Sequence, residues 1–344
     1  MNEMAATELP VSGLKILHVC PYASGDRDRV IFSRQDRNNQ YFVVEPSTFF
    51  QDFGKGKLLG LVSGAARLRR FVSENAIDLV ISDNPRIGLI MAFMLRISWS
   101  RVRHVIWNFN IARKYTGFKL LLSRIALTGN THIVVFSRYE KEVYAELFRL
   151  DQTRIHFKLY SGPYLDDPRY TGIPPDKKDY IVSAGYSGRD YGSLFKLAAA
   201  MPDTPFVVVT LPKAIKDLVK PANVTIVSGI EELEYCRIIA NARAFVLPIQ
   251  KDVIANGQIA IVQAMSFNTL LFVNRLPGVT DYFDDGRNLV ELDLADVEKA
   301  VLTVRTALGN QRQMAETVAN ARSFAGANFT VAKDIELVER IAGI

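Results

Sequence analysis

Residues 254–292 read IANGQIAIVQAMSFNTLLFVNRLPGVTDYFDDGRNLVEL, and the order of their parts decides the kind of fold. A polar, glycine-bearing loop, Asn256-Gly257-Gln258, leads into an apolar segment, residues 259–265. That segment stops at Ser266-Phe267-Asn268, and an apolar strand over 270–273 follows. A loop then carries Pro277-Gly278 and Asp284-Asp285-Gly286. Loop, helix, strand and acidic turn in this order make one unit of an open α/β sheet. The start of such a helix gathers unpaired backbone N–H groups and roughly half a positive charge, which suits a phosphate. An ordinary αβ unit with no ligand shows the same local pattern.

Working outward, the second half of the chain repeats the unit. Strands are predicted over 180–184, 205–209, 224–227 and 244–247, with helices between them that include 191–201 and 231–242. Upstream, residues 161–178 (SGPYLDDPRYTGIPPDKK) are rich in Pro, Gly and Asp without periodicity and read as a linker. The first half alternates in the same way. Strands are predicted over 14–20, 40–44, 77–82, 102–107, 131–136 and 154–160, and helices over 57–74, 87–99, 117–127 and from the Ser137 cap through 148. Residues 331–344 read as a last helix. The expected fold class is therefore α/β. Residues 1–163 form one Rossmann-like domain and 164–178 a linker. Residues 179–328 form a second such domain, and 329–344 a terminal helix.

Composition narrows the functional classes. A chain of 344 residues suits two domains, since single cores rarely grow beyond ~250 residues. Cys20 and Cys236 have no motif spacing, and His18, His104, His132 and His156 are scattered, so no disulfide framework or metal motif is read. No secretory signal is read at the start, and the longest apolar run, 87–95, is far short of the ~20 residues that span a bilayer. A cytoplasmic setting is the expectation. Charge is divided unevenly: residues 1–165 hold 23 Lys+Arg against 14 Asp+Glu, net +9, and the rest 19 against 22, net −3. A basic first half fits a lipid-linked acceptor at an anionic membrane face. No nucleic-acid motif is present. The amphipathic helix 117–127, preceded by Arg113-Lys114, is the candidate for peripheral membrane contact, against the alternative of a core-facing helix.

Residues 254–292 resemble the donor-site signature of retaining glycosyltransferases with two facing Rossmann-like domains (the GT-B type), above all glycosyltransferase family four. There a small-residue loop opens a helix carrying a glutamate before Ala-Met, and a strand, a glycine-rich turn and an acidic-Gly-x-Asn turn follow. Gln263-Ala264-Met265 and Asp285-Gly286-Arg287-Asn288 stand in those places. The signature's two glutamates fall at Ala255 and Gln263, and neither is a carboxylate. Residues 134–160, a strand ending near Ser137, a helix and a further strand, resemble the family's exit from its first domain, and the resemblance implies that the terminal helix 329–344 crosses back to that domain.

The resemblance implies the site. Gln263 would hold the ribose hydroxyls, which an amide can do by accepting and donating. Sugar contact would pass to Asn256 or Gln258, and the helix start at Asn256-Gly257-Gln258 would meet the diphosphate. Residues 183–194, SAGYSGRDYGSL, resemble the first strand–loop of the donor domain. Beside Gly185, Arg189 would neutralise the leaving β-phosphate with its fixed fork of donors. A local ion pair with Asp190 is the competing reading. The family often has a basic residue directly after the glycine, where this chain has Tyr186. Lys213 is a second candidate cation, and the backbone at Ser228-Gly229-Ile230 stands where the family reads the nucleobase.

In the first half, Asn108 and Asn110 occupy the place of a family histidine and are candidate sugar or acceptor contacts. Asp83-Asn84 and the Ala23-Ser24-Gly25 loop face the same cleft in a parallel sheet, and Arg27 and Arg29 are candidates for an anionic acceptor. The implied activity is hexosyl transfer from a nucleotide-diphosphate sugar to a hydroxyl of a glycan or lipid-linked acceptor, as in polysaccharide biosynthesis. Transfer would retain configuration and use no metal and no cofactor. Two alternatives stand beside it: a degenerate, non-catalytic partner of an active transferase, and a nucleotide-sugar epimerase.

Overall fold

The computed structural model describes residues 13–21, 36, 38–50, 57–174, 176–251 and 254–343. The Ala23-Ser24-Gly25 loop, Arg27 and Arg29 lie outside them. Twelve strands in the described residues form two six-stranded sheets in which every pairing is parallel.

The first sheet has the order β2-β1-β3-β4-β5-β6. Its strands are β1 (Lys15–Val19), β2 (Gln40–Val44), β3 (Leu79–Asp83), β4 (Arg103–Trp107), β5 (Thr131–Val135) and β6 (Ile155–Phe157). The helices between them are α1 (Lys57–Glu74), α2 (Asn84–Ile97), α3 (Gly117–Leu127) and α4 (Arg138–Phe148). Pro85 in the first turn of α2 has no N–H to lose there, which places the helix start three residues earlier than its apolar periodicity suggests. The second sheet, β12-β11-β10-β7-β8-β9, is built from β7 (Lys178–Ala184), β8 (Phe206–Val209), β9 (Val224–Val227), β10 (Ala242–Leu247), β11 (Leu270–Val273) and β12 (Val290–Glu291). A short helix, α5 (Pro168–Thr171), precedes it, and α6 (Tyr191–Ala199), α7 (Glu232–Asn241), α8 (Gln258–Ser266), α9 (Val297–Gly309) and α10 (Gln311–Asn328) cover it.

Strand periodicity explains the two-sided cores. Val182, Ala184, Phe245, Leu247, Leu271 and Val273 face one layer of helices, while Ile181, Ala244, Val246, Leu270 and Phe272 face the other. Strands buried on both faces read as continuous apolar runs, as FVVV in β8 and LLFV in β11 do. The segment with the composition of a linker is partly structured: Tyr164 and Tyr170 insert into the core of the second sheet. The last helix, α11 (Val331–Ala342), packs Val331, Leu337, Val338 and Ile341 against Ile16, Leu79, Ile81 and Val105 of the first sheet. A buried ion pair of Lys158 with Asp334, joined by Ser161, fastens it.

Strand order also says where a ligand fits. In open parallel sheets the crevice opens beyond the carboxyl ends of two neighbouring strands whose connections leave in opposite directions. That point lies between β1 and β3 in the first sheet and between β7 and β10 in the second.

Candidate functional site

At the switch point of the second sheet, β7 ends at Ala184 and the chain turns through Gly185, whose φ of 135° excludes most side chains. The Gly185 carbonyl accepts from Tyr191 Oη at 2.6 Å and Thr210 Oγ1 at 2.9 Å, so the turn is fixed from two sides. The loop then zips onto the segment leaving β10. Asp190 N donates to Pro248 O at 2.9 Å, Gln250 N donates to Gly188 O at 3.0 Å, and Arg189 bridges Ile249.

This holds the half-buried Arg189 guanidinium in one pose. Nε donates to Ala184 O at 3.2 Å, and Nη1 donates to Ser187 O and Asn256 Oδ1, each at 3.0 Å. The Asp190 carboxylate instead caps α6, accepting from Ser193 N at 3.0 Å and Ser193 Oγ at 2.7 Å. Arg189 therefore keeps its charge uncompensated by the neighbour that could have paired with it. The structure thus brings together the two motifs that are 67 residues apart in sequence, through the Arg189–Asn256 bond.

Asn256 stands directly before the N-terminus of α8. Its Oδ1 also accepts from Gly257 N at 3.1 Å, and Gly257, at φ 91°, supplies no side-chain cap. The first-turn N–H groups of α8 have no intrahelical partner and carry the positive end of the helix dipole beside the Arg189 guanidinium. Gly188 makes the contact possible: a Cβ there would lie 1.6 Å from Asn256 Nδ2, and φ is +61°. Gly188→Ala is expected to cost about 1–3 kcal/mol of stability through that clash and backbone strain. Chemical denaturation followed by circular dichroism checks it; an unchanged midpoint would mean that Asn256 is not held there.

The other expected donor residues are placed less uniformly. The Gln258 side chain is buried and turned to the first domain, Nε2 donating to Gly278 O at 3.1 Å and Glu140 Oε2 at 3.4 Å. Gln263 is also buried. Its Nε2 donates to Tyr164 Oη at 3.0 Å, while Oε1 has no hydrogen-bond partner among the described residues. Ala255, in the place of the signature's first glutamate, packs among Ile111 and its first-domain neighbours. Ile230 lines a cavity of about 520 Å³ with Gly229, Glu231 and Tyr170. Lys213 is exposed on the turn after β8 and makes no ion pair among the described residues.

In the first domain, Asn108 takes a left-handed conformation (φ 56°) where the chain leaves β4, the role of a turn residue. Asn110 lines a cavity of about 660 Å³ with Asn84, Arg86, Arg113, Lys114 and Lys119. The domains are pinned together beside it: Ile254 N donates to Ala112 O at 3.1 Å, and Asp281 accepts from Arg138 N at 2.8 Å and Arg138 Nη1 at 2.6 Å.

Two groups emerge that the sequence motifs above do not include. Glu140, fully buried at the start of α4, accepts from Phe136 N at 3.2 Å and Ser137 Oγ at 2.9 Å, and burial pushes its carboxyl up to about 8. Its signal is the Ser137-x-x-Glu140 spacing of a capping box. The second group comes from pairing β1 with β3, which sets His18, Cys20 and Asp83 with ligand atoms within 4.8 Å of one another, His18 Nε2 lying 3.5 Å from Asp83. The remaining histidines are also less scattered than in sequence. His132 stacks on His156 with nitrogens 2.9 Å apart, and His104 sits between Ser82 and Thr131.

No protein-family model matches the chain, and no curated protein matches it by sequence. Solved structures do match in fold. A glycosyltransferase from Rickettsia africae is similar with a TM-score of 0.73 at 11% identity, over 96% of this chain and 99% of that one. HepE from Anabaena, solved in complex with UDP and glucose, gives 0.70 at 13% identity over 96% and 100%. Sucrose-phosphate synthase from Thermosynechococcus elongatus gives 0.65 at 14% identity over 95% and 98%. With two all-parallel six-stranded sheets and this structural likeness over nearly its whole length, the chain has the GT-B glycosyltransferase fold.

Proposed function

We propose that the protein transfers a hexosyl group from a nucleotide-diphosphate sugar to a hydroxyl of a glycan or lipid-linked acceptor, with retention and without a metal. The observation that carries this reading is the Arg189–Asn256 junction, a fixed guanidinium joined to an uncapped helix N-terminus at the switch point of the second sheet. HepE, of the same fold, is described in complexes with UDP and with UDP-glucose, which supports a nucleotide donor.

In the proposed step the bond between the anomeric carbon and the β-phosphate oxygen breaks, and the acceptor oxygen bonds to that carbon on the same face. The departing phosphate oxygen takes the acceptor's proton, so no enzyme base is needed. Arg189 and the first-turn N–H groups of α8 stabilise the charge that develops on the diphosphate. Gln263 is assigned the ribose hydroxyls, a contact that requires its buried Oε1 to be uncovered on binding, and the backbone at Ile230 meets the base beside its cavity. Asn108 and Asn110 hold sugar or acceptor hydroxyls from the opposite side.

Calorimetry with UDP, GDP, ADP and their common sugar conjugates tests the reading. One diphosphate is expected to bind in clear preference to the others; absence of binding by all of them would overturn the transferase assignment. Ala255 and Gln263 favour a second reading, a non-catalytic partner that binds donor without turnover, because no carboxylate stands at either position and Ala255 is only 3% exposed. Release of nucleotide from the preferred sugar conjugate by the purified chain separates the two.

A further inference from the structure

Helix α3 is apolar on the wrong side for a helix that only covers a sheet. It buries Ser123, Ala126 and Leu127. Yet Phe118, Leu121, Leu122 and Ile125 are 73%, 53%, 40% and 38% exposed. At about 100° per residue, these four fall within an arc of about 100° that points away from the buried positions. Lys119 and Arg124 lie on either flank of that arc, each about 110° from its centre. The expectation of a core-facing amphipathic helix is thus half the account: α3 has an apolar stripe inward and a second one outward.

The surroundings say what covers the outward stripe. Residues 84–139 contain nine Lys and Arg and no Asp or Glu. Arg113 and Lys114 stand exposed just before α3 and Lys119 in its first turn, and none of them, nor Arg86, makes an ion pair among the described residues. Lys119 Nζ lies 3.6 Å from the Tyr115 ring, its stem beside the helix. The neighbouring helix α2 ends next to α3, where Asn130 Nδ2 donates to Arg101 O at 3.1 Å, and there Trp99 is 87% exposed. Arg124 is turned to helix α4, its Nε donating to Leu147 O at 3.0 Å. An aromatic residue at one end, an apolar stripe in the middle and exposed long cations at the other end and one flank suit a surface that is apolar inside and anionic at its boundary. A protein partner of the usual kind would supply carboxylates at fixed points; an acid-free segment of this length favours a continuous field of negative charge.

We propose that the outward face of α3, Phe118, Leu121, Leu122 and Ile125 with Arg113, Lys114 and Lys119 around it, docks on an anionic lipid bilayer. The cations engage headgroup phosphates while the four apolar side chains enter the acyl boundary. The 660 Å³ cavity shares Arg113, Lys114 and Lys119 with this face, so docking presents the cavity to molecules held in the bilayer. This surface stands apart from the transferase reading, because vesicle binding is measured without nucleotide.

The test is co-sedimentation of the full chain with vesicles of phosphatidylcholine alone and of phosphatidylcholine mixed with phosphatidylglycerol, at low and high salt. Wild type is expected to pellet with the anionic vesicles and to be released by salt. Phe118→Ser with Leu121→Ser is expected to weaken partition by about tenfold or more, with an unchanged melting temperature. Lys114→Glu with Lys119→Glu is expected to cost about fivefold per substitution on anionic vesicles only. Three results would overturn the proposal: wild type that stays in solution at low salt, a serine variant that pellets like wild type, or a dimer abolished by the serine pair with no vesicle binding. The last would assign the face to a second copy of the chain.

Discussion

Arg189→Ala is expected to weaken nucleoside-diphosphate binding by about tenfold or more and to slow sugar transfer by about 10²–10³. Both numbers follow from the geometry. The guanidinium is held by Ala184 O, Ser187 O and Asn256 Oδ1, so it is oriented before a ligand arrives and loses little freedom on binding one. Its Nη2 has no acceptor among the described residues and is the part of the fork open to a phosphate oxygen. Charge on the leaving oxygen is larger in the transition state than in the bound donor, so the rate falls further than the affinity. Arg189→Lys keeps the charge but not the fork, and is expected to restore binding more than turnover. Calorimetry and a nucleotide-release assay on the three proteins measure this, with thermal melting to confirm that the loop persists. Equal affinity in wild type and alanine variant would remove Arg189 from the donor site.

The sequence reached the fold more readily than the site, for a physical reason. Strands buried on both faces leave apolar runs that survive any ligand: β9 and β11 span the residues their composition indicates, as do helices α1 and α3. The loops at the switch point are governed by backbone conformation and by contacts between distant segments. Gly188 shows this, since its need to be glycine comes from Asn256, which lies far along the chain. Gln258 belongs to the donor motif in sequence, yet its side chain reaches across the domain interface to Glu140. Nothing in a local window encodes that partner. The outward stripe of α3 was half legible, because periodicity finds two apolar faces as easily as one and burial alone says which faces water.

Relative to Glu140→Gln, wild type should lose stability as pH rises from about 6.5 to 8. The carboxyl is pushed up to about 8 first by burial, with Asp281 adding to the rise and the bonds from Ser137 and Phe136 opposing it. Its unfolded value is near 4.5. A folded value above the unfolded one means that the native state holds a proton that the unfolded chain has released. The stabilisation is complete below the unfolded value and is lost as pH climbs to the folded one. The slope is about 1.4 kcal/mol per pH unit, or about 2 kcal/mol between 6.5 and 8. The window matters because three histidines act in the opposite sense. His104, held near 3, and His132 and His156, each held near 4, are neutral in the fold and gain protons on unfolding below about 6.5, so they lower stability toward acid. The unfolded histidines still release protons up to about pH 7.5, and Lys177, held near 8 by burial, begins to lose its proton in the fold. Both oppose the fall, so the Glu140 contribution is read as the difference between wild type and Glu140→Gln. The amide of Glu140→Gln keeps an acceptor for Phe136 N and Ser137 Oγ without a charge to desolvate, so wild type should lose about 2 kcal/mol relative to it across the window. The effect reaches the candidate site through Gln258, whose side chain joins Glu140 to Gly278 at the start of α8. A neutral Glu140 leaves the positive end of that helix to the diphosphate; an ionised one competes for it. Nucleotide affinity should therefore decline above pH 8 in wild type and hold in the glutamine variant. Urea unfolding at several pH values, with calorimetry at pH 7 and 9, decides the matter. Parallel stability profiles for the two proteins between 6.5 and 8 would mean that Glu140 is already ionised in the fold and that α8 shares its N-terminus with a carboxylate.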